Sequence, residues 1–197
     1  MDKEHIRRPM VVFEIWLFNQ YVRTPSIVNI SHNSVPVWQG AITKDSISFS
    51  ADQMPGSNTL VIELTNKDEN LDTILDDAGH IVSDTFVEIK EISIDDYMMR
   101  SLVQSNAVQQ VNWAVHANAF EYMKKQGIDP NTHTNASNKL SFNGKYLFSY
   151  ETPIDKWLLE KRNVYDNYTH NELMGEDKEL FDEVKKLIGQ DSFQQGR

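Results

Sequence analysis

Cysteine is absent from the 197 residues, which removes disulfide frameworks, thiolate metal sites and cysteine nucleophiles together. Basic residues are few: 19 Lys and Arg stand against 29 Asp and Glu, for a net charge of −10. Beyond Arg7-Arg8 there is no basic run, so nucleic acid and anionic membrane surfaces are poor partners for this chain. No stretch approaches the roughly 18 apolar residues of a spanning helix. The N-terminal "MDKEHIRRPMVVFEIWLFNQYV" puts bases before an apolar run, but Glu14 interrupts it and no small-residue cleavage site follows. The expectation is a soluble chain with no signal peptide and no transmembrane segment. The usual catalytic markers are missing as well. There is no G-x-S-x-G elbow, no phosphate-binding G-x-x-x-x-G-K-S/T loop and no G-x-G-x-x-G turn. Six scattered histidines form neither H-x-x-x-H nor H-E-x-x-H, which argues against zinc. Neither internal repeats nor low-complexity segments occur.

What is present is alternation. With hydrophobic residues at 40% and charged residues at 24%, the chain has material for a real core. In residues 10 to 18, Val11, Phe13, Ile15 and Leu17 share one face while Val12, Glu14, Trp16 and Phe18 share the other, a strand expected to be buried on both sides. "SISFS" (46 to 50) and "TLVIELTN" alternate in the same way, with the turn "ADQMPGSN" between them. From Phe86 to Ile94 the apolar phase slips, Val87 and Ile89 having one parity and Ile92 and Ile94 the other. Either a bulge near Lys90 or Glu91 or burial of both faces accounts for the slip. Asn143-Gly144 in "LSFNGKYLFSY" reads as a hairpin turn, as does Gly79 in "DDAGH". About seven to nine short strands at this spacing predict a mainly β, jelly-roll-like sandwich.

Helical signals lie elsewhere. Residues 97 to 127, free of Pro and Gly until Gly127, place Val111, Val115 and Ala119 at four-residue spacing and predict a partly helical insertion. "TPIDKWLLEKR" has Thr152 as N-cap and Pro153 in the first turn. After the polar connection "RNVYDNYTHN", the segment "EDKELFDEVKKLIG" carries one apolar stripe of Leu180, Phe181, Val184, Leu187 and Ile188, a docking face for this sandwich or for another subunit. The expected organisation is an N-terminal arm (1–9), a sandwich domain (10–152, with the insertion at 97–127) and a C-terminal helical extension (153–197).

Two candidate sites stand out. Residues 72 to 96 hold eight carboxylates and one lysine. Such crowding suits either a hard-ion site or a solvated set of turns, since Asp and Asn favour turns for backbone reasons. The EF-hand register fails, because a loop glycine at Gly79 would put Ile74 at the first ligand position. Among the tryptophans, Trp16 and Trp157 sit in apolar surroundings, whereas Trp38 in "SVPVWQG" is the candidate for an exposed platform.

"GSNTLVIELTNKDEN", "DDAGHIVSDTFVEIKEISID" and "LSFNGKYLFSYETPIDKWLLE" together resemble β-sandwich modules of tailed-bacteriophage structural proteins. Those modules are in turn similar to calcium-dependent, xylan-binding-type carbohydrate-binding modules. The resemblance covers about residues 10 to 160. It implies a non-enzymatic virion protein acting through contacts with other virion proteins or copies of itself, with polysaccharide binding as the alternative. It also implies a calcium site drawing on Asp68, Asp72, Asp76 and Asp84. No cluster of exposed aromatics accompanies those acids, a departure from the glycan-binding pattern.

Overall fold

A computed structural model describes residues 10–130 and 137–169, with side chains to residue 161. The chain divides into two units, Met1–Pro153 and Ile154–Arg197. The first unit is a β-sandwich. Its strands are β1 (Met10–Gln20), β2 (Ile27–His32), β3 (Val35–Ala41), β4 (Ser46–Asp52), β5 (Gly56–Leu64), β6 (Thr73–Leu75), β7 (Ile81–Asp84), β8 (Phe86–Ile94), β9 (Tyr97–Met98), β10 (Ala107–Val111), β11 (Lys139–Leu140) and β12 (Gly144–Thr152). The first sheet runs β11-β8-β1-β4, with β9 beside β8, and the second runs β10-β12-β5-β2-β3. β6 and β7 form a separate two-stranded ribbon.

The core follows from the alternation. Phe13, Ile15, Ile89, Ile92 and Ile94 of the first sheet are fully buried, as are Val28, Leu60, Ile62, Tyr146 and Phe148 of the second. The slip in β8 is a bulge: Trp16 pairs with Glu91 and Leu17 with Ile89, which leaves Lys90 as the extra residue. Ile89 and Ile92 therefore both point inward, and Lys90 and Glu91 face solvent together. The outer side of β1 is more open than the sequence suggested, with Val12 and Phe18 exposed and Trp16 half-buried.

Three expectations are corrected. Asn143-Gly144 is not a hairpin turn, because β11 pairs with β8 in one sheet while β12 pairs with β5 and β10 in the other. The dipeptide carries the chain from one sheet to the other. Its residues have other duties: the Asn143 side chain accepts from Lys67 N–H at 2.8 Å and donates to Lys67 C=O at 2.7 Å, replacing a missing strand partner. The 97–127 segment is partly helical, but Val111, Val115 and Ala119 do not share one helix. It holds α1 (Leu102–Ser105), strand β10 and α2 (Ala117–Lys125), and Val111 ends β10 instead of joining a helical stripe. Pairing with β12 outweighs the local four-residue pattern there. Thr152 is the last residue of β12, where its hydroxyl accepts from Gly56 N–H and donates to Met54 C=O, both at 2.9 Å, instead of capping the next helix. That helix, α3 (Ile154–Thr169), runs through most of the expected polar connection. The arm 1–9 and the stripe of Leu180, Phe181, Val184, Leu187 and Ile188 lie outside the described residues.

Among the described residues no helix is long and apolar enough to cross a membrane.

Candidate ligand-binding face

Of the acids singled out by sequence, Asp72 and Asp84 face cations and Asp68 and Asp76 accept from their own turns. Lys67 is buried, and its ammonium donates to Asp84 Oδ1 and to the Ser141 carbonyl, both at 2.6 Å, while lying 5.5 Å from the centre of the Phe142 ring. Burial lowers the Lys67 pKa, and Asp84 opposes that shift. Asp84 Oδ1 also accepts from the Thr73 hydroxyl at 2.7 Å. Asp72 accepts from Arg23 Nε and from Asp68 N–H, both at 2.9 Å. Burial alone would raise the Asp72 carboxyl, but the Arg23 and Asp68 hydrogen bonds bring it below its ordinary value. Asp68 accepts from Asn70 N–H, closing a local turn. Asp76 accepts from the backbone N–H of Ala78 and of His80, and its pKa falls chiefly through the His80 bond.

Calcium takes six to eight oxygens converging on one point. Asp72 and Asp84 already face internal cations, and Asp68 and Asp76 satisfy their own turns. Among the described residues no group of three or more His, Asp or Glu is placed to hold a metal ion. The donor set does not fit the calcium ion that the resemblance implied.

Two imidazoles are buried in the sandwich, His116 and His32. His116 Nε2 accepts from Asn143 N–H at 2.7 Å, and its Nδ1 is buried with no hydrogen-bond partner, 4.0 Å from Glu69 Oε2. His32 Nε2 lies 3.0 Å from the Tyr150 hydroxyl. Burial lowers the pKa of both from the ordinary 6.5, and raises Tyr150 to about 12. A folded pKa below the unfolded one gives stability that is complete above about pH 6.5 and lost as pH falls toward the folded value, because the unfolded chain takes up protons the folded chain refuses. Urea midpoints are therefore expected to drop between pH 7.5 and pH 5, and the drop should shrink in His116→Asn. Midpoints that rise on acidification would contradict this.

The outer face of the second sheet carries an ordered row of polar side chains. Directly paired residues on adjacent antiparallel strands share a face. Following the register, Gln110 pairs with Lys145, Lys145 with Glu63, Glu63 with Asn29, and Asn29 with Gln39. These form one unbroken polar row across all five strands. The neighbouring row on that face runs Val108, Leu147, Val61, Ser31 and Pro36, and is mostly aliphatic. All five polar residues, together with Leu147, Val61, Ser31 and Pro36, line a groove of about 520 Å³. Lys145 and Glu63 lie 3.9 Å apart and balance each other's charge. Asn29 Oδ1 is buried in the groove with no hydrogen-bond partner.

Trp38 borders the same groove. It pairs with buried Ile30 on edge strand β3, so its Cβ leaves from the inner side of the sheet and the indole is half-buried at the margin of the sandwich. A Cβ on Gly40 would lie 3.2 Å from two indole carbons, so the ring rests against the glycine backbone. Sequence reasoning singled out Trp38 as an exposed platform, whereas the ring is half-buried, and it missed the polar row. The outward parity of each row residue was visible, whereas their alignment depends on pairings among strands far apart in the chain.

No family model matches the chain, and no curated protein matches it. Among solved structures, the chain is similar to vCBM60 in complex with galactobiose, at 14% identity and a TM-score of 0.41, over 70% of this chain and 96% of that one. It is also similar to the SeMet form of vCBM60, from work on circular permutation linking two families of calcium-dependent carbohydrate-binding modules. There the identity is 14% and the TM-score 0.42, over 70% of this chain and 89% of that one. Neither is named as a virion protein.

Proposed function

We propose that this protein is a non-catalytic binding module for polysaccharide, whose site is the grooved outer face of the second sheet. The observation that carries the reading is Asn29 Oδ1, a buried acceptor with no hydrogen-bond partner, second from one end of a row of three amides and one ion pair. An unpaired buried acceptor costs about 1–3 kcal/mol, so turning the Asn29 amide toward the groove to meet a ligand hydroxyl would recover that energy on binding. Amides offer both donors and acceptors, as sugar hydroxyls require, and the aliphatic row supplies a surface for the C–H face of a ring. The face presents neither a nucleophile with a base nor a metal cluster, which is why binding is proposed and turnover is not.

Affinity electrophoresis in gels carrying soluble polysaccharides tests this. The wild type is expected to be retarded, with equal mobility in chelator, and with no product released from the retaining polysaccharide. Asn29→Ala should weaken retention roughly tenfold. A chain that is retarded by no polysaccharide under either condition rules the function out.

Assembly through subunit contacts, as in a virion, is a second reading with one observation behind it. Ile74, Leu75, Ile81 and Val82 of the β6–β7 ribbon are all exposed, at 46%, 54%, 65% and 67%. Isolated two-stranded ribbons are marginal in water, so a covering partner would stabilise this one. Native mass spectrometry of the same sample separates the readings, since a monomer that binds glycan leaves only the first.

A further inference from the structure

Building on the polysaccharide reading, we infer that the ligand is an internal stretch of a neutral, unbranched, extended chain that lies across the strands, with about one sugar ring over each interval between strands. Three observations on the face lead there. First, the polar row runs straight from Gln39 on one edge strand to Gln110 on the other, with every intermediate strand contributing one residue. Four inter-strand steps of about 4.8 Å span about 19 Å, the length of about four pyranose units laid end to end. A monosaccharide or a chain end would use only one or two of these groups and leave the others without purpose.

Second, the face has two chemistries in parallel. The polar row and the aliphatic row are two residues apart along four of the strands, and three on β3 where the pairing with β2 bulges, a spacing on the order of 7 Å. An extended glycan has the same division, with hydroxyls along its edges and C–H groups on its ring faces. Laid across the strands it meets both rows along its whole length, whereas laid parallel to a strand it would cross from one to the other. A peptide gains less here, since a sheet face has no unpaired backbone edge to which it can add a strand.

Third, the row is charge-balanced. Its single cation, Lys145, lies 3.9 Å from its single anion, Glu63, and the other three members are amides. A uronic-acid or sulfated chain would meet no net positive charge, on a protein whose net charge is −10. Neutral sugars meet no such repulsion.

The test is a length series. Isothermal titration with unbranched neutral β-1,4-linked oligosaccharides of glucose, mannose and galactose, from one to six units, should find one series in which affinity climbs with each added sugar and levels off at about four units. Gln39→Ala and Gln110→Ala remove the two ends of the row, where both side chains are exposed and the fold does not depend on them. Each is expected to lower affinity for the longer members roughly five- to tenfold, with the disaccharide unchanged and the melting temperature unmoved. Maximal affinity already reached with a mono- or disaccharide would overturn the inference while leaving the polysaccharide reading intact. Polygalacturonate that binds more tightly than every neutral series would do the same. No binding by any sugar, polymer or oligomer, would remove that reading itself.

Discussion

Lys67→Met is expected to destabilise the folded chain by about 3 kcal/mol. Methionine keeps most of the aliphatic stem, so packing against Phe142 survives while the ammonium is lost. Asp84 then keeps only the Thr73 hydroxyl as a donor to Oδ1, and the Ser141 carbonyl loses its 2.6 Å partner. The Lys67 side chain is 2% exposed and that of Asp84 16%, so water cannot fully take over. Removing one member of a buried pair leaves an uncompensated charge, and that charge is the source of the cost. The double variant Lys67→Met/Asp84→Asn removes both charges and should regain much of the loss. Urea midpoints at unchanged slope measure both. A loss under about 1 kcal/mol for the single variant would mean the pair does not tie this end of the sandwich together.

Gly144→Ala is the second large effect. At a φ of +156° its Cβ would lie 2.2 Å from the Gln110 carbonyl oxygen and 2.9 Å from Val111 Cα. Both obstacles are backbone of β10, so no side chain can step aside. Either β10 or β12 must shift, and the pairing of Val111 with Gly144 goes with it. Overpacking and backbone strain together make the expected loss about 3–5 kcal/mol. Gly79→Ala is the comparison. Gly79 has a φ of +85° with open space around it, so only the intrinsic left-handed cost of about 1–2 kcal/mol applies. Thermal melts of the two variants are expected to separate widely. Equal melting temperatures would show that the approach of β10 to Gly144 is not close in solution.

Gly144 also marks where sequence reading reached its limit. Asn-Gly between alternating segments is a strong hairpin signal because both residues tolerate left-handed backbone. Here the same two residues satisfy different demands: Asn143 bonds the Lys67 backbone, and Gly144 makes room for another strand. Neither demand is written in the neighbouring letters. By contrast, the phase slip at Lys90 was legible, since a bulge is the economical way to keep Val87, Ile89, Ile92 and Ile94 all inward. The acidic stretch was legible as composition only. Lys67 and Arg23, the cations that meet Asp84 and Asp72, lie outside residues 72 to 96, so the stretch displayed those charges without the groups that pair with them. The polar row was hidden for a related reason. Its five polar members sit at positions 29, 39, 63, 110 and 145 and become neighbours only once five strands are placed in order.

That scattering has an evolutionary corollary. No loop exchange or segment insertion can rewrite the row, because no two of its members share a strand. Yet each is flanked by residues of the opposite parity, such as Val28 and Ile30 around Asn29 or Ile62 and Leu64 around Glu63, which hold the backbone from behind. Single-letter changes can therefore retarget the face one position at a time on an undisturbed scaffold, so diversification among descendants of this fold would proceed by substitution at fixed sites, with chain length held constant.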